Sequence, residues 1–516
     1  MIIPEPSAKA PLMKPSSSPV RSSHVNDSDH PQPPQLDSPP SYGTYEARQS
    51  PPIQPYPAVI AHQPHYHHIH QIERMETNRR SASGRFWRAF AVAIFIWVLV
   101  SAFVRSVIIV VHPVSLLNMT EWPIPSDVDL VNCYSGSNWT DNNEGSAYAG
   151  SSGMQVFTTL PRHKDVSFDL LVDSEELFVL SRGAMSGGAL KITTSDEQRD
   201  TARVDVRVEY TSESVLDYVK VCQLQRGENG AGVGIFTPTR RYYPIPKRQL
   251  RFFVNVDLPA SSSPNGLHIK KLQTDMPNFL QRLGDLAQGV FFDTISLRSS
   301  NGLITVQSLI AGTAQIETSN GGIDGNVATT GAMVVETRNG EIKGAYNATG
   351  SLNLVSTNGI IKSRVYINTG DDESATLDLR TSNGYIQSDI SLLHTATTGG
   401  DFNVVASSSN SPLRLHFLDA PLNSKLALTA RTSNSPAQVT LHPTYEGGFQ
   451  VSTSNMRPNA FARSGIEDPS GRGRQRDVQI SRSWSQVTGS VSWSDEGRSR
   501  GRVVLSTSNS PASLEF

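Results

Sequence analysis

At 516 residues the chain is long enough for two or three domains with a sizeable core. Its 45 Lys+Arg against 47 Asp+Glu leave a formal charge of −2, which excludes a whole-protein field that would gather nucleic acid or a strongly acidic substrate. The composition is uneven: nearly half of the 32 prolines fall between Pro4 and Pro64.

Residues 1–84 are rich in Pro, Ser, Gln and His and poor in large aliphatics, so they cannot bury enough apolar surface to offset ordering entropy and read as a disordered tail. Within it, Pro39-Pro40-Ser41-Tyr42 fits the Pro-Pro-x-Tyr ligand of WW domains, whose aromatic groove docks a preformed polyproline turn. The bland alternative is chance occurrence in a proline-rich segment. The cluster HQPHYHHIH has imidazoles enough for a transition metal but no preformed shell to hold one, so no metal or cofactor is expected.

Residues 89–111 give 23 positions with one charge, Arg105. As a helix they would reach roughly 34 Å, enough to cross a bilayer. Arg74, Arg79, Arg80, Arg85 and Arg88 precede the span, while no Lys or Arg follows Val111 until Arg162. The positive-inside rule then predicts a single-pass type II membrane protein with a cytosolic N-terminus and everything after His112 extracellular or lumenal. On that side lie the glycosylation sequons of Asn118, Asn138 and Asn347, of which Asn138 and Asn347 are the expected acceptors, Asn118 standing too near the membrane. Cys133 and Cys222 are there too, candidates for a disulfide that two cysteines alone do not fix geometrically.

Residues 112–150 read as a stalk. Over 151–290, segments such as VSFDLLV, LFVLS, ALKITTS, ARVDVRVEYTS and QLRFFVNVDLP are strand-like and predict a β-rich cap. MPNFLQRLGDLA, 276–287, reads as the one short helix.

From 291 to 516 the chain repeats. Asn301, Asn320, Asn339 and Asn358 recur at a constant interval of 19, and Asn383, Asn410, Asn434, Asn455 and Asn509 continue the series. A hydroxyl stands two residues before each asparagine, and apolar residues stand four and six before. Steps of two mark one face of a strand. Gly follows the first five asparagines and should supply positive φ at a corner. Shared parity predicts that the asparagines point inward and pair amide to amide, as a buried structural ladder in a parallel β-solenoid. Nine copies at matched parity argue for scaffold and against catalysis. Ser-Pro replaces Gly after Asn410, Asn434 and Asn509, so these corners should differ or lie at a sheet edge. The fold class is therefore all-β: a parallel β-solenoid of about nine Ser/Thr-x-Asn corners behind a β-rich cap, with an Arg-rich insertion at 456–476.

The Ser/Thr-x-Asn-Gly-x-Ile coils, FFVNVDLP, YEGGFQVSTSN and the closing GRVVLSTSNSPASLEF resemble the putative-adhesin β-solenoid proteins of unknown function, of the membrane-anchored type found in filamentous fungi. The resemblance covers roughly 250–516 and implies a surface role with no catalytic residues. Around SGRGRQR, Arg457, Arg463, Arg472, Arg474 and Arg476 read either as a solvated loop or as a contact for anionic polysaccharide or lipid. Glu317 and Glu336 recur with Arg298 and Arg380 as a mixed-charge column on the outward face. Three functions follow. The first is a non-enzymatic adhesin-like protein binding cell-wall glycan or surface proteins. The second is a β-helix polysaccharide lyase or hydrolase, for which no converging carboxylates are found. The third is a membrane sensor or sorting adaptor acting through Pro39, Pro40 and Tyr42.

Overall fold

A chain whose apolar residues alternate along short runs, with identical side chains at each interval, can bury them by stacking coil on coil. The computed structural model shows this in residues 122–139, 160–239 and 250–516, apart from 262, 264, 265 and 372, which are the residues described. The tail 1–84, with Pro39, Pro40, Tyr42 and the histidine cluster, lies outside them, as do 89–111 and most of 112–150.

Among the described residues all regular structure is β-strand apart from three short 3₁₀ turns. Two parallel ladders run along the stack. In one, Ile304, Ile323, Ile342, Ile361, Ile386, Leu413, Ala437 and Ala512 sit side by side in register. In the other, Leu297, Ile316, Val335, Leu354, Leu379, Ala406, Ala430, Leu505 and Val451 do the same. All seventeen are at most 1% exposed, so the two columns face each other across one continuous core. Each fully buried Ile, Leu or Val contributes about 1.5–3 kcal/mol relative to exposure.

Spatial order departs from chain order at the far end. Strand Gly501–Thr507 lies between Lys425–Arg431 and Gly447–Thr453, and Ala512–Glu515 likewise lies between Ala437–Thr440 and Asn459–Phe461. The last coil of the chain is thus the penultimate coil of the stack. The outer edge of Gly447–Thr453 is covered by antiparallel Gln486–Ser492, which pairs with Asp477–Arg482. Antiparallel strands close the near end as well: Arg162–Leu171 on Thr201–Tyr210 on Leu250–Ala260, and Asp129–Ser135 on Lys220–Arg226 on Gly230–Phe236. Both ends of a parallel stack would otherwise offer unpaired backbone groups. In the near-end cap Cys133 and Cys222 stand directly opposite each other and are bonded.

The helix expected at 276–287 is not formed. Its residues make a corner followed by strand Phe279–Asp285, parallel to both Gly188–Gln198 and Ile304–Thr318. The helical pattern misled because this coil breaks the repeat: buried Met276 stands where the hydroxyl belongs, and Thr274 stands in the apolar column. Thr274 Oγ1 lies 2.6 Å from Gln281 Oε1, and Gln281 Nε2 donates to Arg298 O at 2.7 Å, so the two buried polar side chains are satisfied.

Candidate functional site: a hydroxyl-lined groove beside the asparagine ladder

Each asparagine Nδ2 donates to the Oδ1 of its neighbour in the stack at 2.6–2.8 Å. The series runs Asn278, Asn301, Asn320, Asn339, Asn358, Asn383, Asn410, Asn434, Asn509 and Asn455. Asn278 is a rung hidden in the sequence by the irregular coil. All nine repeat asparagines are exposed, which corrects the expectation of a buried column. The chain turns at the hydroxyl residue, so strand parity does not carry through to the asparagine. The inward residue is the hydroxyl itself: Thr337 is 1% exposed.

That hydroxyl has two jobs at the Gly corners. Thr337 Oγ1 accepts from Gly340 N–H at 3.1 Å and donates to Gly321 O of the preceding coil at 3.0 Å. Thr318, Ser356 and Thr381 repeat the arrangement. None of Gly302, Gly321, Gly340, Gly359 and Gly384 has a positive φ, contrary to expectation. They are needed for close approach. A Cβ on Gly340 would lie 1.8 Å from Gly321 O, and one on Gly359 would lie 1.5 Å from Gly340 O.

The Ser-Pro corners sit inside the stack, flanked on both sides by ladder partners, and not at an edge. Ser411, Ser435 and Ser510 donate their hydroxyls to the backbone carbonyls of Asn383, Asn410 and Asn434 at 2.6–2.8 Å. Thr432 and Thr507 turn their hydroxyls to carbonyls of their own coil, as does Thr453 at the Asn455 corner, whereas Ser408 keeps the Gly-corner arrangement, donating to Gly384 O and accepting from Ser411 N–H. Pro412, Pro436 and Pro511 fit because this position supplies a carbonyl acceptor, to Ile386, Leu413 and Ala437 N–H respectively, and proline keeps its carbonyl.

Beside these later corners lies a groove of about 760 Å³. Thirteen of its sixteen lining residues are Ser or Thr; the others are Gln450, Gln486 and Arg431, and none is a carboxylate. It crosses five adjacent strands, from Ser374–Arg380, which Thr381 follows, to Gly447–Thr453, hence about 19 Å at the usual strand spacing. In register on its floor stand Ser407, Arg431, Ser506 and Ser452. Arg431 is exposed and makes no ion pair among the described residues. Upstream, the same column carries Arg298, Glu317, Glu336 and Arg380, and Arg298 pairs with Glu317 at 3.3 Å. An inserted C-terminal coil could not be foreseen from chain order, so the neighbours Arg431 and Ser506 were not legible as a pair.

The arginines of 456–476 are neither one solvated loop nor one cationic patch. Arg474 makes two bonds to Asp468, at 2.9 and 3.0 Å, and this guanidinium holds the Asp468 carboxyl far below the usual carboxylate range. Arg463 donates to Leu441 O and pairs with Glu515 at 3.5 Å. Arg476 stacks over Trp493 and Phe516, each 5.6 Å away, and burial, with a smaller push from Arg463, lowers its pKa to about 10. Arg457 stands 4.4 Å over the ring of Trp484, which is 65% exposed. Of the sequon residues, Asn138 is exposed beside buried Trp139, and Asn347 is exposed on strand Ile342–Thr349 with its Oδ1 accepting from Asn368 Nδ2 at 2.5 Å. Among the described residues no group of three or more His, Cys, Asp or Glu side chains is placed to hold a metal.

No family model and no curated protein matches the chain. Solved structures similar to it include three proteins named as adhesins or adhesion proteins. A "putative cell adhesion protein" from Clostridium sporogenes is 9% identical, with a TM-score of 0.15, covering 69% of this chain and 99% of its own. A "putative adhesin" from Parabacteroides distasonis is 12% identical, with a TM-score of 0.19, covering 54% and 92%. Another from Bacteroides fragilis is 7% identical, with a TM-score of 0.19, covering 69% and 99%. At such scores the likeness carries no argument about function, and the chain's own groove has to supply it.

Proposed function

We propose that the chain is a non-enzymatic, adhesin-like surface protein, anchored through residues 89–111 with its β-structure outside the cytosol, and that the groove binds cell-wall glycan. The observation that carries this is the groove's lining of thirteen hydroxyl residues, two Gln and one Arg without a carboxylate. Five of the hydroxyls, at Thr381, Ser408, Thr432, Thr453 and Thr507, are buried and bonded to backbone carbonyls, which leaves eight serines for a ligand. Sites for small apolar molecules are lined mostly by hydrophobic side chains, and this one is not. Glycoside hydrolysis generally needs two carboxylates facing one bond, and the groove offers none. Hydroxyl and amide groups recurring at the strand spacing suit a ligand that repeats its own hydroxyls at a comparable interval, as a chain of pyranose rings does. The Cys133–Cys222 bond and the exposed Asn138 fit an oxidising, glycosylating compartment.

Full-length protein in detergent on a glycan array should bind polysaccharide, and Ser452→Leu with Ser506→Leu should abolish that binding without lowering Tm. A glycan whose reducing ends increase on incubation with the protein would contradict the non-enzymatic part. Retained binding in the double variant would move the site elsewhere. For the anchor, endoglycosidase should shift the wild type and not Asn138→Gln with Asn347→Gln; a shift lost only with Asn26→Gln, in the sequon Asn26-Asp27-Ser28 on the other side of residues 89–111, would reverse the orientation.

A further inference from the structure

Resting on the glycan reading, we infer that the groove selects an acidic polysaccharide of the polyuronide class, with Arg431 taking a carboxylate and Trp484 stacking on a sugar ring at the groove's end. Three observations converge on this. First, the lining is free of acid, and its one charged group, Arg431, lies between Ser407 and Ser506 with no carboxylate partner among the described residues. A guanidinium offers a fork of N–H donors that matches a planar carboxylate, and flanking hydroxyls can donate to the same anion.

Second, an adjoining hollow shares Gln450 with the groove and is also without a lining carboxylate. It contributes Arg502, exposed and likewise without an ion pair among the described residues. Upstream in the matching column, by contrast, the arginines have carboxylate partners: Arg298 pairs with Glu317 and Arg380 with Asp378.

Third, Trp484 is the most exposed large hydrophobic residue of those described, at 65%. It occupies the turn between Asp477–Arg482 and Gln486–Ser492, and its chain neighbours Ser485 and Gln486 line the groove. Ser485 O accepts from Thr453 N–H at 2.9 Å, which fixes that turn to the groove wall. Arg457 over one face of the ring at 4.4 Å holds the indole upright and adds positive charge beside it. An indole propped by a cation and open to solvent offers an apolar plate for the C–H face of a pyranose, while Arg431 takes the acid group. Neither residue is used by the core or by the ladder.

The test compares polygalacturonate with its fully methyl-esterified form, which keeps the backbone and removes the charge. Binding to the full-length chain is read by affinity electrophoresis and by tryptophan fluorescence. The acid form should bind at least about tenfold more tightly than the ester, and raising salt from about 0.05 to about 0.5 M should weaken only the acid form. Arg431→Gln should reduce the acid form to the level of the ester and leave the ester unchanged, with Arg431→Lys recovering part of the loss. Trp484→Ala should weaken both forms about equally, by about tenfold, at unchanged Tm. Equal binding of the two forms, or an Arg431→Gln variant that binds like wild type, overturns the acidic-ligand inference and leaves the glycan reading standing. A Trp484→Ala variant that binds as wild type overturns the stacking role. No binding to either form overturns the whole inference, and the array result then decides the glycan reading separately.

Discussion

The five coils from Asn301 to Asn383 and the three at Asn410, Asn434 and Asn509 carry one ladder on two kinds of corner. At the Gly corners the coils touch backbone to backbone: the hydroxyl of one coil bonds a carbonyl of the last, and no side chain fits between. At the Ser-Pro corners a serine side chain makes an inter-coil bond; Ser408, at the first of them, still bonds Gly384 O of the last coil, while Thr432 and Thr507 turn to their own coil. The ladder therefore does not require glycine. What requires it is the approach of one particular carbonyl. The groove lies along the corners that are built with side chains, where hydroxyls are in surplus over what stacking uses.

The two corners should separate most clearly when a side chain is forced into a Gly corner. Gly340→Ala places a Cβ against Gly321 O and should destabilise by about 3 kcal/mol or more, because backbone there cannot give way without parting the coils. Ser435→Ala, the matching position of the other corner, loses only the bond to Asn410 O and should cost about 1 kcal/mol. Denaturant melts of the two variants read the contrast directly. Similar costs would mean that the two corners are equivalent.

Thr337→Val should come next, at about 2 kcal/mol, since it leaves Gly340 N–H and Gly321 O without their shared partner. Thr432→Val removes one bond within its own coil and should cost about half as much. Asn339→Leu should cost about 1 kcal/mol or less, because the ladder faces water, which can replace the lost amide bonds. A loss of about 3 kcal/mol in chemical melts would restore the buried column that the sequence suggested.

The smallest effect is a pH dependence. Burial lowers the His442 pKa from 6.5, Asp419 opposes this and Arg463 adds to it. The fold therefore favours neutral imidazole, and the unfolded chain takes up the proton first. Stability from this group is complete above pH 6.5 and is lost as pH falls from 6.5 through the folded value. Melts from pH 8 to pH 5 should show a dip that His442→Gln flattens.

Much of the architecture was legible because it is written in apolar residues at steps of two, repeated at a constant interval from Ile304 through Ile323 and Ile342 to Ile361. The features that sequence concealed have specific causes. Met276 and Thr274 disguised the coil that holds Asn278, since one buried polar pair replaced two pattern positions. The asparagines were assigned inward because parity was carried through a corner that resets it. The groove was invisible because Arg431 and Ser506, distant in the chain, become neighbours only when the last coil enters between two earlier ones. Trp484 gave a signal of its own, a lone Trp in a polar turn, but nothing in the sequence tied its neighbour Ser485 to Thr453.

The architecture rests on one repeat, from Asn320 to Arg338, being a complete unit of stacking, with Gly321 O and Gly340 as its contact. Deleting residues 320–338 joins Ser319 to Asn339 and should bring Ile304 beside Ile342 and Ile316 beside Leu354, all in register. Deleting residues 320–329 alone removes the Asn320 corner and strand Ile323–Thr329, so Ile304–Thr318 runs on toward Met333–Thr337 with no return between them and no register to join. Circular dichroism melts should show the whole-coil deletion unfolding cooperatively within about 5 °C of wild type, and the partial deletion losing cooperativity or melting far lower. Equal damage from the two deletions would contradict the stacking unit, and with it the corners and the groove built on it.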